Sequence, residues 1–360
     1  MSNFKTNYEK YLVDSMNSKS LFKTLLLHIS SKLENEIDVL VSYPGNKEKF
    51  KNELNEVYSM LSKGRVYETI IDGFCGTGGS IKALEPSLLK SGVKKIVMND
   101  ISPCVITLHE NVRNASQDMI DEYVEIIRVK VIQKYQKLFL TLDEFEEILT
   151  ELKEEFNTFQ KSGEFGVKTS VIFMMLSSFN YSGIVDFKVG GNINLYETIY
   201  DGTKVRNFLF GIPARIKEYS RLYNQFEMVF YNEDYFRLYE ALKHSPKTLW
   251  NIDTVYVKEN YSEYIQSEME KLRNSDIAEC YCNYGQKKFP HIEVLETLED
   301  INFIYNNNTH PILTHYKNKF NLNSIDFLRN DNINADNKKK AKKIKEEILF
   351  QNNFPNKAEV

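Results

Sequence analysis

The sequence lacks the cysteine pattern of a disulfide-stabilised or zinc-binding protein. Its four cysteines, Cys75, Cys104, Cys280 and Cys282, are too few and too unevenly spaced for a disulfide framework. Cys280 and Cys282 resemble half a zinc site, but no second pair of ligands accompanies them. We therefore expect reduced, buried thiols and no bound metal.

Long apolar runs and a strong net charge are also missing. No run reaches the roughly 18 apolar residues that cross a bilayer, and the N-terminus has neither the basic nor the apolar region of a signal peptide. A net charge of −4 neither indicates nor excludes nucleic acid binding, because local patches set the attraction for phosphate. These absences predict a soluble, cytoplasmic protein with no membrane partner.

The composition is that of a folded protein. Apolar residues make up 42% and aromatic residues 13% of the 360 residues, which is typical of a globular chain. The length suits one large domain or two of ordinary size. The clearest basic cluster, Lys338 to Lys345, lies in a polar tail and favours a solvated helix end. Phosphate binding by this cluster is the alternative.

Strands and helices alternate in two parts of the chain. Residues 67–100 read as strand, glycine-rich turn, helix and strand, which is the length of one βαβ unit. Alternation resumes near residue 226, after a long helical stretch and a glycine-containing hairpin. The pattern predicts an α/β fold with a mostly parallel, doubly wound sheet, interrupted by an inserted helical and hairpin segment.

The turn after the first strand, IDGFCGTGGS, is rich in glycine. Glycines let the backbone approach a ligand that larger side chains would exclude. Asp100 ends the next strand, where a carboxylate can accept hydrogen bonds from both ribose hydroxyls of a nucleoside. The spacing differs from the phosphate-binding G-x-G-x-x-G, which argues against a nicotinamide-dependent oxidoreductase. A tight turn without a ligand is the remaining alternative.

Six motifs in one order resemble those of the DNA adenine N6-methyltransferases of the Dam-like, alpha-ordered class. They are SYPGNK, FCGTGG, MNDISP, the segment from SSFN to NLY, YNEDYF and LWNIDTVY, and they lie between Ser42 and Phe320. The resemblance implies a Rossmann-like S-adenosylmethionine-dependent methyltransferase fold. It also implies site-specific methylation of a flipped adenine in double-stranded DNA, as in restriction-modification.

The resemblance also implies a domain organisation. We expect an N-terminal helical extension over 1–41 and an S-adenosylmethionine-binding catalytic domain over 42–114 and 226–320. A target-recognition insertion would occupy 115–225. The polar C-terminal tail, 321–360, is rich in Asn and Lys beyond residue 330 and is expected to fray there.

The family's cofactor residues are placed by position. Tyr43 and Lys47 match residues that border the methionine end of the cofactor. By the same resemblance, the glycine-rich turn cradles the cofactor, Asp100 holds its ribose, and Asp234 accepts from its adenine amine with Tyr235 beside the ring. A helix cap explains Asp234 equally well when it is read alone. The implied set is Tyr43, Lys47, Asp72, Phe74, Gly76, Gly78, Asp100, Asp234 and Tyr235.

The family's catalytic Asp-Pro-Pro-Tyr is Asp253-Thr254-Val255-Tyr256 in this chain. An adenine amine is a poor nucleophile because its lone pair is delocalised into the ring, so acceptors must draw the amine toward tetrahedral geometry. The resemblance assigns Asp253 as side-chain acceptor, the Thr254 carbonyl as backbone acceptor and Tyr256 as stacking platform. Prolines would fix φ at about −65° and remove two N–H groups, so their loss is expected to loosen this loop.

A second departure concerns DNA contact. The resemblance suggests Asn180 and Lys188 as DNA-binding residues, but Asp186 stands where family members usually carry an arginine. A carboxylate repels phosphate instead of neutralising it. The two departures keep a second hypothesis open. In it, the chain is a catalytically inactive, methyltransferase-like DNA-binding protein or partner subunit that retains the fold.

Overall fold

The computed structural model describes residues 18–32, 40–41, 47–137, 140–178, 185–187, 193–195, 207–254, 290–331 and 342–351. The chain divides into two compact units. Unit 1 comprises Met1–Asn46 and Pro103–Gln225, and unit 2 comprises Lys47–Ser102 and Phe226–Val360. Unit 1 thus includes residues from Pro103 onward, where the sequence suggests a boundary at 115.

Within the described residues, the strands in chain order are β1 (Thr69–Asp72), β2 (Lys95–Asn99), β3 (Val185–Phe187), β4 (Ile193–Leu195), β5 (Glu227–Tyr231), β6 (Thr248–Asp253), β7 (Phe303–Asn308), β8 (Asn323–Asp331) and β9 (Lys342–Phe350). The α-helices are α1 (Lys19–Ser31), α2 (Lys51–Leu61), α3 (Gly79–Ser91), α4 (Pro103–Asn114), α5 (Ser116–Ile127), α6 (Leu142–Ser162), α7 (Val167–Ser177), α8 (Ile212–Tyr223), α9 (Tyr235–Leu242), α10 (His291–Glu296) and α11 (Pro311–Lys319). Short 3₁₀ helices cover Lys47–Phe50 and Thr297–Glu299, and π-helical turns cover Arg128–Gln133 and Asn207–Gly211.

Unit 2 is built on a seven-stranded sheet with the order β5-β2-β1-β6-β7-β9-β8. Neighbours among the first five strands are parallel, and β9 runs antiparallel to β7 and β8. The segment β1-α3-β2 is the predicted βαβ unit, and Gly92 ends its helix in the left-handed conformation with φ 77°. The α/β fold with a mostly parallel sheet is therefore confirmed.

One face of this sheet carries a large apolar cluster. Trp250 and Ile252 of β6, with Phe303 and Tyr305 of β7, pack there against Leu238 of α9. Side chains alternate along a strand, so the residues between them point to the opposite face. This alternation decides which polar side chains meet at the ends of the strands.

The C-terminal strands contradict the expectation of a fraying tail. Lys342–Phe350 forms β9 between β7 and β8, and Ile348, Leu349 and Phe350 are buried. The described part of the basic cluster, Lys342 to Lys345, therefore lies in a strand instead of ending a helix. Strand β9 could not be predicted from the lysine run, because its pairing with β7 depends on contacts between residues far apart in the sequence.

Unit 1 is mainly helical. Helix α6 begins with a capping box, in which the side chains of Thr141 and Glu144 each accept a hydrogen bond from the other's backbone N–H. The buried apolar face of α6 consists of Phe145, Ile148, Leu149, Leu152 and Phe156, whereas Leu142 is exposed. Helix α7 is buried from Thr169 to Ser177, and β3 and β4 form an antiparallel pair, as expected for the predicted hairpin. None of the helices in the described ranges is long and apolar enough to span a membrane.

Candidate cofactor and catalytic site

The carboxyl ends of β1 and β6 lie where the strand order of unit 2 reverses. Strand β1 has β2 on one side and β6 on the other. In open α/β sheets, ligands bind outside the carboxyl ends of the strands at such a point. Asp72 ends β1, Asp253 ends β6, and Asp100 follows β2. The fold therefore gathers three of the predicted carboxylates at one edge of the sheet.

The glycine-rich turn after β1 has the backbone conformation that its sequence predicts. Gly76 has a φ of 47° and Gly78 a φ of 76°, both in the left-handed region. Gly78 precedes the first residue of α3, and its N–H donates to the carbonyl of Cys75 at 2.8 Å. A side chain at either glycine would be strained, so this turn keeps an open backbone beside the sheet edge.

Asp100 is held in place by two backbone donors. The N–H of Gly76 donates to Oδ2 at 3.1 Å, and the N–H of Ser102 donates to Oδ1 at 2.9 Å. Burial raises the pKa of Asp100, and these two hydrogen bonds oppose the increase. Each carboxylate oxygen can accept a second hydrogen bond, so Asp100 retains capacity for ligand hydroxyls.

Asn99 is a structural residue of the site that sequence reasoning missed. Its Nδ2 donates to the carbonyls of Gly73 and Glu233, both at 3.1 Å, and its Oδ1 accepts from the N–H of Glu233 at 3.1 Å. The side chain thereby joins the turn after β1 to the turn after β5. The only sign of this role in the sequence is that Asn99 is a polar residue at the end of an apolar strand.

Asp72 has one oxygen without a hydrogen-bond partner. The side chain is fully buried, Oδ1 accepts from Asn251 Nδ2 at 3.1 Å, and Oδ2 has no hydrogen-bond partner among the described residues. Burial raises the pKa of Asp72 to about 7, and Asn251 opposes this increase, while the charges of Asp253 and Asp100 add to it. A buried carboxyl of this kind fits a positively charged ligand group.

Asp234 and Tyr235 begin helix α9. Asp234 caps the helix, since its Oδ1 accepts from the N–H of Phe236 at 2.8 Å. The Tyr235 ring is buried and stacks on Phe74 with 4.8 Å between the ring centroids. Its hydroxyl lies 2.7 Å from Thr297 Oγ1. Tyr235 therefore supports Phe74, which is itself half-buried in the glycine-rich turn.

Asp253 forms an ion pair with Lys47. The Nζ of Lys47 lies 3.0 Å from Oδ1 of Asp253, and their side chains are 2% and 21% exposed. Lys47 also lies over the ring of Phe50, at 5.9 Å from its centroid. The predicted catalytic carboxylate is therefore partly accessible, and a buried ammonium balances its charge.

Thr254, the next residue, points to the opposite face and is buried. Its Oγ1 accepts from Asn307 Nδ2 at 2.9 Å and lies 3.2 Å from the hydroxyl of Tyr305. Burial raises the pKa of Tyr305 to about 12, with Thr254 and Asn307 opposing the increase. Tyr305 and Asn307 both belong to β7, and sequence reasoning did not single them out.

Asn306 lies between these two residues and faces the other side of the sheet. It pairs in register with Asp253, is 2% exposed, and neither atom of its amide group has a hydrogen-bond partner within the described residues. Sequence reasoning missed Asn306 as well. The signal was the ending of an apolar strand in three asparagines, in FIYNNN.

Four predicted site residues lie outside the described residues, and their roles stay predictions. They are Tyr43, Asn180, Lys188 and Tyr256. Asp186 is in β3, where only the backbone is described. Across the described ranges, no group of three or more His, Cys, Asp or Glu side chains is arranged to hold a metal ion.

Comparison with known proteins gives one family match. The sequence model of the D12 class N6 adenine-specific DNA methyltransferases matches residues 43–307. Among solved structures, the chain is similar to the rRNA methyltransferase aviRa from Streptomyces viridochromogenes, with 10% identity and a TM-score of 0.33 over 88% of this chain and 90% of that chain. No curated protein matches the chain. The family match extends from before Lys47 to Asn307 and so includes every described residue of the candidate site.

Proposed function

We propose that this chain, which belongs to the D12 class N6 adenine-specific DNA methyltransferase family, methylates N6 of a flipped adenine at a specific site in double-stranded DNA. Family membership makes it a methyltransferase. The observation that supports activity in this particular chain is the ion pair of Asp253 with Lys47, at the same sheet edge as Asp72 and Asp100.

The residues at the sheet edge fit S-adenosylmethionine as the methyl donor. Oδ2 of Asp72, which has no hydrogen-bond partner in the described part of the chain, suits a cationic group, and Asp100 has acceptor capacity left for ribose hydroxyls. The glycine-rich turn with Phe74 would lie against the cofactor, and Asp234 and Tyr235 are proposed for its adenine end. When bound, the cofactor supplies a methyl group on a sulfonium, which adenine N6 takes as the carbon–sulfur bond breaks and leaves its electron pair on sulfur.

Asp253 and Thr254 would prepare the amine for this step. Each of the two N6 protons needs an acceptor, and these would be the carboxylate of Asp253 and the backbone carbonyl of Thr254. Drawing both protons away from the ring plane localises the lone pair on nitrogen. The amine loses one proton as the new N–C bond forms, and Asp253 would accept that proton and release it to solvent. Tyr256 is proposed to stack on the extruded base.

Lys47 would orient the catalytic carboxylate. Its ammonium holds Oδ1 of Asp253 and would thereby fix how the carboxylate is presented to the amine. Alignment of reacting groups supplies much of the rate in a transfer whose electrophile is already activated. Lys47 is thus proposed to act through Asp253.

Recognition of the DNA sequence is proposed for the insertion in unit 1. Asn180 and Lys188 are the proposed DNA contacts, and a restriction-modification system in the cytoplasm is the setting we expect for such a sequence-specific enzyme. The inactive alternative would be favoured by an Asp253 buried and bonded only to its own loop. The side chain is instead 21% exposed and paired with Lys47 from a distant part of the chain.

Methylation of DNA tests the proposal directly. The purified protein is incubated with labelled S-adenosylmethionine and duplex DNA of mixed sequence, and the DNA is digested to nucleosides. We expect labelled N6-methyladenine, which should disappear with Asp253→Asn while cofactor binding by calorimetry persists. Cofactor binding without methylation of any DNA tested would favour the inactive alternative.

A further inference from the structure

We infer that a buried hydrogen-bond network holds the backbone acceptor of this enzyme in place, where the family uses a proline ring. We call Thr254, Tyr305 and Asn307 the Thr254 anchor. The inference rests on the proposed function, because the carbonyl of Thr254 is the proposed second acceptor for the adenine amine. Nothing in the family motif supplies this anchor, since a proline has no hydroxyl.

The three polar groups of the anchor contact one another. Asn307 Nδ2 lies 2.9 Å from Thr254 Oγ1 and 3.3 Å from the Tyr305 hydroxyl, and the two hydroxyls are 3.2 Å apart. Thr254 is 5% exposed, and Tyr305 and Asn307 are fully buried. Water therefore has little access to compete for these bonds.

The donors and acceptors of the anchor match. The amide nitrogen of Asn307 has two protons and can donate one to each hydroxyl oxygen. A third bond joins the two hydroxyls, with either as the donor. Loss of the threonine hydroxyl would leave the buried Tyr305 hydroxyl and Asn307 amide with fewer hydrogen bonds. Such a loss is destabilising, because buried polar groups in folded proteins are normally hydrogen-bonded.

The anchor acts at the residue that matters for the proposed chemistry. A proline restrains its own backbone by fixing φ through a covalent ring. Thr254 has no ring, but its hydroxyl accepts from Asn307 and shares a hydrogen bond with Tyr305, and these bonds to β7 would restrain its Cβ and Cα. Strand β7 is the direct parallel neighbour of β6, so the restraint comes from the sheet itself. In the family, a proline ring within the loop restrains the backbone. In this chain, we infer that hydrogen bonds between Thr254, which follows β6, and strand β7 do so.

Removing the anchor should therefore slow methyl transfer without weakening substrate binding. We expect Thr254→Val, which keeps the shape but loses the hydroxyl, to lower kcat by about ten- to a hundredfold, the effect of a misplacement approaching 1 Å. Tyr305→Phe should also lower kcat. Thr254→Ser keeps the hydroxyl and should retain most of the activity. The dissociation constant for S-adenosylmethionine and the KM for DNA should stay within about threefold, since none of the three anchor residues is a proposed contact of the cofactor or of the DNA backbone.

A double variant and a matched control sharpen the test. Thr254→Val with Tyr305→Phe should be no slower than Thr254→Val alone, because both changes remove one shared interaction. Tyr316→Phe removes another buried tyrosine hydroxyl from the same apolar cluster and should leave kcat unchanged. Thr254→Pro should also be slow, since it leaves Tyr305 and Asn307 without the threonine hydroxyl.

The outcomes separate the anchor from the proposed function. A wild-type protein that transfers methyl groups, with Thr254→Val equally fast, would overturn the anchor alone. Equal losses in kcat and cofactor affinity would also overturn it, because they would indicate general damage to the site. A wild-type protein without transfer to any DNA would overturn the proposed function and the anchor together. If Thr254→Val does not fold, Thr254→Ser and Tyr305→Phe decide the question by the same criteria.

Discussion

The Nζ of Lys47 lies 3.0 Å from Oδ1 of Asp253, although the two residues are far apart in the sequence. Lys47 belongs to the short helix that opens unit 2, and Asp253 is the last residue of β6. Two predicted site residues from opposite ends of the family motif order thus form one ion pair. The ion pair therefore joins a predicted cofactor-motif residue to the proposed catalytic residue.

Lys47→Met should damage both stability and activity. The change keeps the length of the side chain but leaves the Asp253 carboxylate without its ammonium. A broken buried ion pair costs about 3–5 kcal/mol, and partial exposure of Asp253 reduces our expectation to about 1–3 kcal/mol in urea unfolding. We expect kcat to fall by about tenfold or more, as the carboxylate loses its orientation.

Lys243→Met is the matched control for this change. Lys243 pairs with Glu240 at 2.8 Å on an exposed helix surface, where such pairs contribute about 0–1 kcal/mol. If Lys47→Met and Lys243→Met have the same small effect, the Lys47–Asp253 pair has no special role.

Cofactor affinity should increase with pH up to about neutrality. Burial raises the pKa of Asp72 from its ordinary value of 3.8 to about 7, so the ligand-free carboxyl is protonated below that pH. A cationic cofactor binds the ionised form, so affinity should rise by up to about tenfold per pH unit below 7 and level off above it. Calorimetry from pH 5.5 to 8.5 measures this.

Asp72→Asn isolates the contribution of this one group. Burial also raises the pKa of Asp100, so some pH dependence could come from there. The variant should bind the cofactor more weakly at pH 8 and should lose most of the pH dependence. If the cofactor affinity of Asp72→Asn changed with pH as steeply as that of the wild type, another group would be responsible for the pH dependence.

The same pKa shift has a consequence for stability that requires no ligand. The unfolded chain releases the Asp72 proton near pH 4, while the folded chain retains it until about pH 7. The contribution of Asp72 to the free energy of unfolding therefore decreases as pH rises between these values. Wild-type stability relative to that of Asp72→Asn should fall across this window in urea titrations. A constant difference between the two proteins would contradict the raised pKa.

Only part of the candidate site could be predicted from local patterns in the sequence. Asp72, Asp100 and Asp253 were predictable, because each ends or follows an apolar strand and parallel strands share a carboxyl edge. The bond between Thr254 and β7 was not, since no local pattern relates a threonine to an asparagine about fifty residues later. Strand β9 was missed for the same physical reason, as its register against β7 is a long-range property.

The Phe74 ring should depend on Tyr235 for its position. The two rings stack at 4.8 Å, and such a pair contributes about 0.5–1.5 kcal/mol beyond its buried area. Tyr235→Leu should weaken S-adenosylmethionine binding by roughly three- to tenfold, because Phe74 would lose its support within the turn. Tyr235→Phe keeps the stack and loses only the bond to Thr297, so its affinity should stay near wild type. Equal affinities for all three proteins would exclude the supporting role.

Asn306 and Asn307 provide a comparison between neighbours on one strand. Asn307 bonds two hydroxyls, whereas the amide of Asn306 has no hydrogen-bond partner in the described part of the chain. An unsatisfied buried polar group costs about 1–3 kcal/mol, so Asn306→Leu should raise the free energy of unfolding by about 1 kcal/mol. Asn307→Leu should lower it, because Thr254 and Tyr305 would each lose a bond.

Activity should change in a different way from stability. Asn306 is the register partner of Asp253 and faces the same side of the sheet, so a polar group retained there at a cost in stability is expected to contact a ligand. Asn306→Leu should therefore be more stable and slower in methyl transfer, whereas Asn307→Leu should be less stable and slower. Urea unfolding and single-turnover methylation of the two variants measure both quantities. An Asn306→Leu protein that is more stable and fully active would show that this amide is a defect of the core and not part of the site.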